Sequence, residues 1–205
     1  MGFNIVLSSP SGAGKTTITK KISQKYPNIK ISISHTTRKP RPNEIDGVDY
    51  HFVNRDKFES LIKENSFFEH AKIFDNYYGT SKETVLELAA KGKDVLFDID
   101  WQGTQQLKKI HSLNIVTIFI LPPNIKVLKN RLLNRHQGQE ELIKKRMEKF
   151  NQEVSHWNEY NYVVVNDDLT SCYNKILDII KSEKNGIHKK QDFNEIEKRI
   201  SQLTN

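Results

Sequence analysis

The sequence contains one cysteine and no long apolar run, and each scarcity excludes a class of protein. Its 205 residues include Cys172 alone among cysteines. A single cysteine cannot form a disulfide within the chain, which favours a reducing compartment, so we expect a cytoplasmic protein. No run approaches the roughly 20 apolar residues of a transmembrane helix. The N-terminus has no charged leader before an apolar segment, so we expect no secretory signal.

Nucleic-acid binding is a further class against which the composition argues. The net charge of +7 would suit a nucleic-acid binder, but no basic stretch is interleaved with aromatic side chains that stack on bases. A solvated basic surface, or a pocket for small polyanions, explains the charge better. We therefore expect neither a nucleic-acid partner nor a membrane partner.

Short, dense apolar runs alternate with helical patterns along most of the chain. The apolar runs predict strands at 3–7, 29–33, 94–99, 115–121 and 162–165. The helical patterns predict helices at 16–25, 58–64, 82–91, 105–110, 125–156 and 171–184. Such alternation indicates an α/β fold with a parallel sheet flanked by helices. Residues 185–205 are polar and predict an appended helix or a frayed tail.

The stretch SPSGAGKTT, residues 9–17, lies between a predicted strand and a predicted helix. It matches the phosphate-loop pattern G-x-x-x-x-G-K-[ST], except that Ser9 replaces the first glycine. In such a loop, backbone N–H groups and the positive end of the helix bind phosphate, Lys15 reaches the β- and γ-phosphates, and Thr16 holds Mg²⁺. The alternative is an ordinary strand-to-helix turn. A serine is accommodated here if its φ is negative, so we predict a working nucleotide site.

Two arginines lie three residues apart in a loop that prolines make rigid. Arg38 and Arg41 flank Pro40, and Tyr50 follows as a hydroxyl donor. Guanidinium groups held on one rigid loop can bind a phosphate monoester bidentately. The alternative is a surface loop with stray arginines, and this pattern alone does not decide between the two.

A lone carboxylate, Glu69, stands among apolar residues such as Phe67, Ala71 and Ile73. If it is buried, it needs a partner. Guanine presents N1–H and N2–H side by side, so a carboxylate can accept two parallel hydrogen bonds from it. Adenine presents an acceptor at N1 and would repel the carboxylate. The alternative is a carboxylate on a strand face, in water or paired with a lysine.

Two further carboxylates, Asp98 and Asp100, stand at the end of the apolar strand at 94–99. A carboxylate at the carboxyl end of a sheet strand can organise Mg²⁺ and its waters. Thr16 and Asp98 are therefore the predicted metal ligands. The alternative is a strand that simply reaches solvent.

The helical stretch at 126–149 carries eight Lys or Arg against three Glu, and its pattern breaks near 137–138. A mobile basic lid of this kind can close over phosphates and exclude water. Arg131, Arg135 and Arg146 are the candidate phosphate-binding side chains of the lid. The alternative is a solvated helix face.

Taken together, these motifs resemble those of the guanylate kinase family of nucleoside monophosphate kinases. The resemblance runs from about Asn4 to Lys181. The matching motifs are the phosphate loop, S-x-TTRxPRxxExxGxDYxF (34–52), Glu69 with YYGT (77–80), DID-x-QG (98–103), PP (122–123) and VNDDL (165–169).

The resemblance implies transfer of the γ-phosphoryl group of Mg²⁺-bound ATP to GMP or dGMP, a step of purine nucleotide metabolism. It implies a P-loop NTPase-type sheet with an inserted GMP-binding subdomain and a helical lid. The implied catalytic residues are Lys15, Arg131, Arg135 and Arg146. The implied ATP-binding residues are Ser9, Pro10, Ser11, Gly12, Ala13, Gly14, Lys15, Thr16, Thr17 and Asn166. The implied GMP-binding residues are Ser34, Arg38, Arg41, Tyr50, Glu69, Tyr78, Thr80, Asp98 and Asp100.

The resemblance also divides the chain into parts. We expect a P-loop core at 1–33, 84–124 and 157–184, a GMP-binding subdomain at 34–83, a lid at 125–156 and a tail at 185–205. The expected partners are ATP and GMP, and the expected assembly is a monomer or a homodimer.

Three alternatives to this kinase remain at this point. A guanylate-kinase-like binding module without catalysis would degrade the phosphate loop, but this chain keeps Gly14, Lys15 and Thr16. A regulatory GTP-binding protein would carry an N-K-x-D sequence, which is absent. A kinase for another acceptor nucleotide is disfavoured by Glu69 and Thr80. Ser9 and His136 depart from the family pattern, but neither departure removes a charged catalytic group.

Overall fold

The computed structural model describes residues 2–135 and 140–204, apart from the side chain of Arg135. The strands are β1 (Asn4–Ser8), β2 (Ile29–Ile31), β3 (His35–Thr36), β4 (His51–Phe52), β5 (Phe67–Ile73), β6 (Asn76–Ser81), β7 (Asp94–Asp98), β8 (Ile115–Leu121) and β9 (Tyr162–Val165). The helices are α1 (Lys15–Lys25), α2 (Arg55–Lys63), α3 (Lys82–Ala90), α4 (Trp101–Lys108), α5 (Ile125–Arg135), α6 (Glu140–Ser155), α7 (Leu169–Lys184) and α8 (Asn194–Thr204).

A parallel sheet with the strand order β2-β7-β1-β8-β9 forms the centre of the described structure. Alternate residues of β1 face opposite sides of it. Ile5 and Leu7 join the core under α1 and α7, whereas Val6 packs with Phe97 and Leu107 on the other face. Because helices cover both faces, these strands appear in the sequence as continuous apolar runs. The predicted α/β fold is confirmed.

A second, smaller sheet lies between β2 and α3 in the chain. In the described residues its order is β4-β3-β6-β5, with an antiparallel β5–β6 hairpin and a parallel β3–β4 pair. The hairpin turn contains Phe74, which has a φ of 56°. This sheet falls within the segment 34–83, and the assignment of that segment as a separate subdomain stays a prediction.

The predicted basic helical stretch forms α5 and α6, and its predicted break at 137–138 lies outside the described residues. The tail forms α8, whose Ile196 and Leu203 share a buried cluster with Leu132 and Phe150. The tail is therefore an appended helix that packs against the rest of the chain. None of the described helices is long and apolar enough to cross a membrane.

Three helices begin earlier than predicted, because a polar side chain caps each of their N-termini. The side chains of Asn54, Asp100 and Asp168 each accept a hydrogen bond from a backbone N–H in the first turn of α2, α4 and α7. These caps satisfy N–H groups that have no partner within the helix. Apolar periodicity starts only after the cap, so the predicted starts at 58, 105 and 171 were wrong.

Candidate active site

A large cleft opens at the carboxyl ends of β1 and β7, with a volume of about 980 Å³. Its walls come from the loop after β1, from the second sheet and its preceding loop, and from α5 and α6. The predicted residues that line it are Ser9, Pro10, Ser11, Gly12, Gly14, Lys15, Thr16, Thr17, Ser34, Arg38, Arg41, Tyr50, Glu69, Tyr78, Asp98, Asp100, Arg131, Arg146 and Asn166. Ala13 and Thr80 are buried behind this lining. The side chain of Arg135 and all of His136 lie outside the described residues.

The loop after β1 has the backbone geometry that a phosphate loop requires. Gly12 and Gly14 have φ angles of 91° and 102°, which L side chains rarely adopt. Gly14 directly precedes α1, so the positive end of that helix faces the cleft. The φ angle of Ser9 is not positive, and Ser9 Oγ donates a hydrogen bond to the Pro10 carbonyl at 3.0 Å. The backbone condition for a serine at position 9 is therefore met.

Lys15 and Asp98 form an ion pair across the base of the loop, with Nζ donating to Oδ1. The other carboxylate oxygen of Asp98 accepts from Thr19 Oγ1 at 3.1 Å. Asp98 ends β7, and Lys15 begins α1. The carboxyl ends of the strands therefore place the Lys15 ammonium and the Asp98 carboxylate next to the phosphate loop.

The oxygen donors at this edge fit Mg²⁺ that arrives with nucleotide phosphates. Thr16 and Asp98 supply a hydroxyl and a carboxylate, the hard donors that this ion prefers. No group of three or more His, Cys, Asp or Glu side chains is placed to hold a metal within residues 2–135 and 140–204. A site with so few protein ligands needs phosphate oxygens and waters to complete the coordination.

Asp100 lies on the same edge, but its carboxylate is committed to α4. Its Oδ1 accepts from Gly103 N at 3.0 Å and its Oδ2 from Gln102 Nε2 at 3.0 Å. It still lines the cleft. The two aspartates, which lie two positions apart in the sequence, therefore have different hydrogen-bond partners.

The two loop arginines are joined by a carboxylate that the sequence reasoning did not single out. Arg38 Nη2 and Arg41 Nη1 both donate to Glu44 Oε1, at 2.9 and 3.1 Å. The backbone N–H of Arg41 donates to Glu44 Oε2 at 2.8 Å. Burial alone would raise the pKa of Glu44, but the hydrogen bonds from Arg38 and Arg41 hold it below its usual range. Glu44 thus stays ionised and aligns both guanidinium groups.

Aromatic side chains border this arginine pair. The Arg38 guanidinium lies 5.3 Å from the centre of the Tyr50 ring, and the Tyr50 and Tyr78 rings meet edge-on at 6.0 Å. Arg38 Nε is buried and makes no hydrogen bond within the described part of the chain. Ser34, at the start of the same region, is buried at the cleft wall. An anion beside Arg38 would therefore meet a positive, partly desolvated surface.

Glu69 is a buried carboxylate at the cleft, with 3% of its surface exposed. Thr80 Oγ1 donates to its Oε1 at 2.6 Å. Burial raises the pKa of Glu69, the hydrogen bond from Thr80 opposes this and the charge of Asp100 adds to it, so that the pKa lies at about 7. A desolvated carboxylate of this kind gains much from a ligand that donates to it.

Two arginines of α5 and α6 reach the phosphate loop. Arg131 Nη1 donates to the Ala13 carbonyl at 3.2 Å and its Nη2 to the Asn166 carbonyl at 3.4 Å. Arg146 donates to Ser11 Oγ, and its guanidinium lies 5.0 Å from the centre of the Phe74 ring. Each of the two helices thereby places one guanidinium group at the loop.

Asn166 and Glu153 also contact the phosphate loop from distant parts of the sequence. Asn166 Nδ2 donates to the Ala13 carbonyl at 2.7 Å, and Glu153 Oε2 accepts from Ser11 N at 3.0 Å. Burial raises the pKa of Glu153, although the bond from Ser11 opposes this. Asn166 was predicted and Glu153 was missed, because a single Glu in a charged helix carries no local signal.

Comparison with known proteins gives one consistent result. A family model described as guanylate kinase matches residues 2–183. The guanylate kinase of Rickettsia bellii is 52% identical over 183 residues, which are 89% of this chain and 95% of the relative. That of Paramagnetospirillum magneticum is 48% identical over 183 residues, 89% of this chain and 86% of the relative. A crystal structure of guanylate kinase from Anaplasma phagocytophilum has a TM-score of 0.72 and 34% identity, covering 89% of this chain and 86% of that one.

Proposed function

The chain belongs to the guanylate kinase family, and from this we propose that it transfers the γ-phosphoryl group of ATP to GMP or dGMP. The products are ADP and GDP or dGDP. The reaction is a step of purine nucleotide metabolism, and the enzyme is a nucleoside monophosphate kinase.

The observation that carries this proposal is the arrangement of the cleft. A phosphate loop and an arginine pair with a buried carboxylate face the same space of about 980 Å³. Phosphoryl transfer needs a donor and an acceptor in line with each other. The phosphate loop would bind the donor, and the arginine pair with the buried carboxylate would bind the acceptor.

At the acceptor end, Arg38 and Arg41 would bind the GMP phosphate, with Tyr50 and Tyr78 beside it. Glu69 would accept hydrogen bonds from the guanine N1–H and N2–H. AMP would instead place an acceptor against this buried carboxylate. The site thereby discriminates between bases through an unpaired buried charge.

At the donor end, the loop amides and Lys15 would bind the ATP phosphates, and Arg131 and Arg146 would neutralise charge on the transferred group. Arg135 is proposed for the same role, and Asn166 for contact near the adenine. Mg²⁺ would be held by Thr16 and Asp98 and would neutralise phosphate charge. No protein nucleophile is needed, because the acceptor phosphate oxygen is already ionised.

We further propose the division into a core, a GMP-binding subdomain at 34–83, a lid at 125–156 and a tail at 185–205. Arg146 at the phosphate loop contacts Phe74, which lies in the turn of the β5–β6 hairpin. That contact supports a closed cleft, which protects the donor from hydrolysis. A cytoplasmic location and a monomeric or homodimeric state remain predictions.

The test is a coupled ADP-release assay with Mg²⁺, ATP and a panel of GMP, AMP, CMP, UMP and dTMP. Turnover that strongly favours GMP is the expected result. Turnover with another acceptor would reassign the substrate. Folded protein that binds GMP without turnover would be a binding module instead, and Ser9 would be the first residue to examine.

A further inference from the structure

Gly103 is a glycine within a helix, where glycine is unfavourable and where no positive φ requires one. Gly103 lies inside α4, and it is not among the glycines with positive φ. Alanine would fit this backbone better, since glycine is among the poorest helix formers. The reason for the glycine must therefore lie outside the helix.

The space at Gly103 is occupied by the predicted base-reading carboxylate. A Cβ atom at this position would lie 2.4 Å from Glu69 Oε2 and 3.0 Å from Glu69 Cδ. Glu69 cannot swing away easily, because it is buried and Thr80 holds its other oxygen at 2.6 Å. The absence of a side chain on α4 thus defines where the Glu69 carboxylate rests.

One turn further along, α4 is joined to the strand that carries Glu69. The backbone N–H of His70 donates to Gln106 Oε1 at 3.1 Å, and Gln106 Nε2 donates to the His70 carbonyl at 2.8 Å. β5 is the edge strand of the second sheet, so the Gln106 amide pairs with it as a neighbouring strand would. Gly103 and Gln106 are three residues apart and therefore share one helix face.

We propose that Gly103 and Gln106 are specificity-determining positioning residues, which fix the Glu69 carboxylate where guanine donates to it. This inference rests on the proposed GMP kinase activity. Gln106 sets the backbone of β5 against α4, and Gly103 leaves the gap into which the carboxylate fits. Base selectivity then depends on two residues of α4 that act through Glu69.

The experiment measures kcat and KM for GMP and for IMP, which lacks the 2-amino group. In Gly103→Ala we expect kcat/KM for GMP to fall about tenfold, the loss of one charge-assisted hydrogen bond. The GMP-to-IMP ratio should fall with it, while KM for ATP stays unchanged. Gln106→Ala should move the ratio in the same direction by less. Gln105→Ala is the matched control, because Gln105 bonds to Glu159 rather than to β5.

A double-mutant cycle separates positioning from general damage. In a Glu69→Ala background the clash is gone, so adding Gly103→Ala should cause no further loss of the GMP-to-IMP ratio and should not lower Tm. An unchanged ratio in folded Gly103→Ala would overturn the proposal, as would equal losses for GMP, IMP and ATP. Dissociation constants for GMP and IMP by calorimetry give the same ratio without turnover. A wild-type chain that binds GMP but does not phosphorylate it would refute only the proposed function.

Discussion

The donor and acceptor ends of the cleft are organised by different means. At the donor end, Gly12 and Gly14 shape a loop whose backbone N–H groups and helix terminus provide the positive field. At the acceptor end, side chains are held by other side chains, as Glu44 holds Arg38 and Arg41. A backbone device depends on the φ angles of a few glycines, whereas a side-chain device depends on which side chains can pair with one another. The two ends should therefore respond differently to substitution.

The largest expected effect lies at the donor end, at Lys15, whose charge the loop amides do not replace. Lys15→Ala should lower kcat by about 10²–10³-fold, because the charge of Lys15 is needed most when the transition state develops. KM for ATP should rise much less, since the loop amides remain.

Steady-state kinetics with Lys25→Ala as the control measure this. Lys25 is an exposed lysine in the last turn of the same helix, so its loss removes one charge without touching the loop. Near-normal turnover in the Lys15 variant would contradict the assignment of the donor site.

The corresponding change at the acceptor end is Glu69→Gln, which should alter selectivity more than rate. The glutamine amide would turn a donor towards the donors of guanine. We expect the preference for GMP over AMP to fall roughly 10- to 100-fold, the value of a hydrogen bond to a charged group. Unchanged selectivity in kcat/KM would refute its role as the base reader.

The same variant gives a pH control for the wild-type enzyme. Burial is the largest cause that raises the pKa of Glu69 to about 7, and this carboxyl group can accept both parallel hydrogen bonds from guanine only when it is ionised. Below that pH, kcat/KM for GMP should fall by about tenfold for each pH unit, because the ionised fraction of Glu69 falls by that factor. Glu69→Gln should lose this limb but keep any titration of the GMP phosphate, which has a pKa of about 6.

How much could be predicted from sequence depends on how far apart the interacting residues lie in the chain. The phosphate loop could be predicted because Gly12, Gly14, Lys15 and Thr16 lie within five positions, and the arginine pair could be proposed because Arg38 and Arg41 lie three positions apart. Glu153 was not, since its partner Ser11 is 142 positions away. Gly103 appeared in the sequence only as one position of a motif, because the need for a glycine there comes from the Glu69 carboxylate, which lies on another strand. The predicted first residues of three helices were wrong for a related reason, since the capping residues lie before the apolar pattern from which the helices were predicted.

A moderate effect is expected from Glu44→Gln, which removes the charge that holds the two arginines together. Their guanidinium groups should lose alignment, and KM for GMP should rise about fivefold while kcat changes little. Glu59→Gln is the matched control, because Glu59 pairs with the exposed Arg55 on α2. A lower KM for GMP would instead show that the Glu44 carboxylate competes with the substrate phosphate.

The smallest expected effect comes from Ser9→Gly, which restores the usual glycine of the loop. The φ of Ser9 is not positive, so the glycine offers no conformational benefit, and kcat/KM should stay within about twofold. Gly12→Ala is the contrasting variant, because Gly12 has a φ of 91° and a Cβ there would lie 3.0 Å from Leu128 Cδ1. It should lose far more activity. A rise of more than about tenfold in Ser9→Gly would mean that the serine limits the rate, and that this loop depends on a side chain after all.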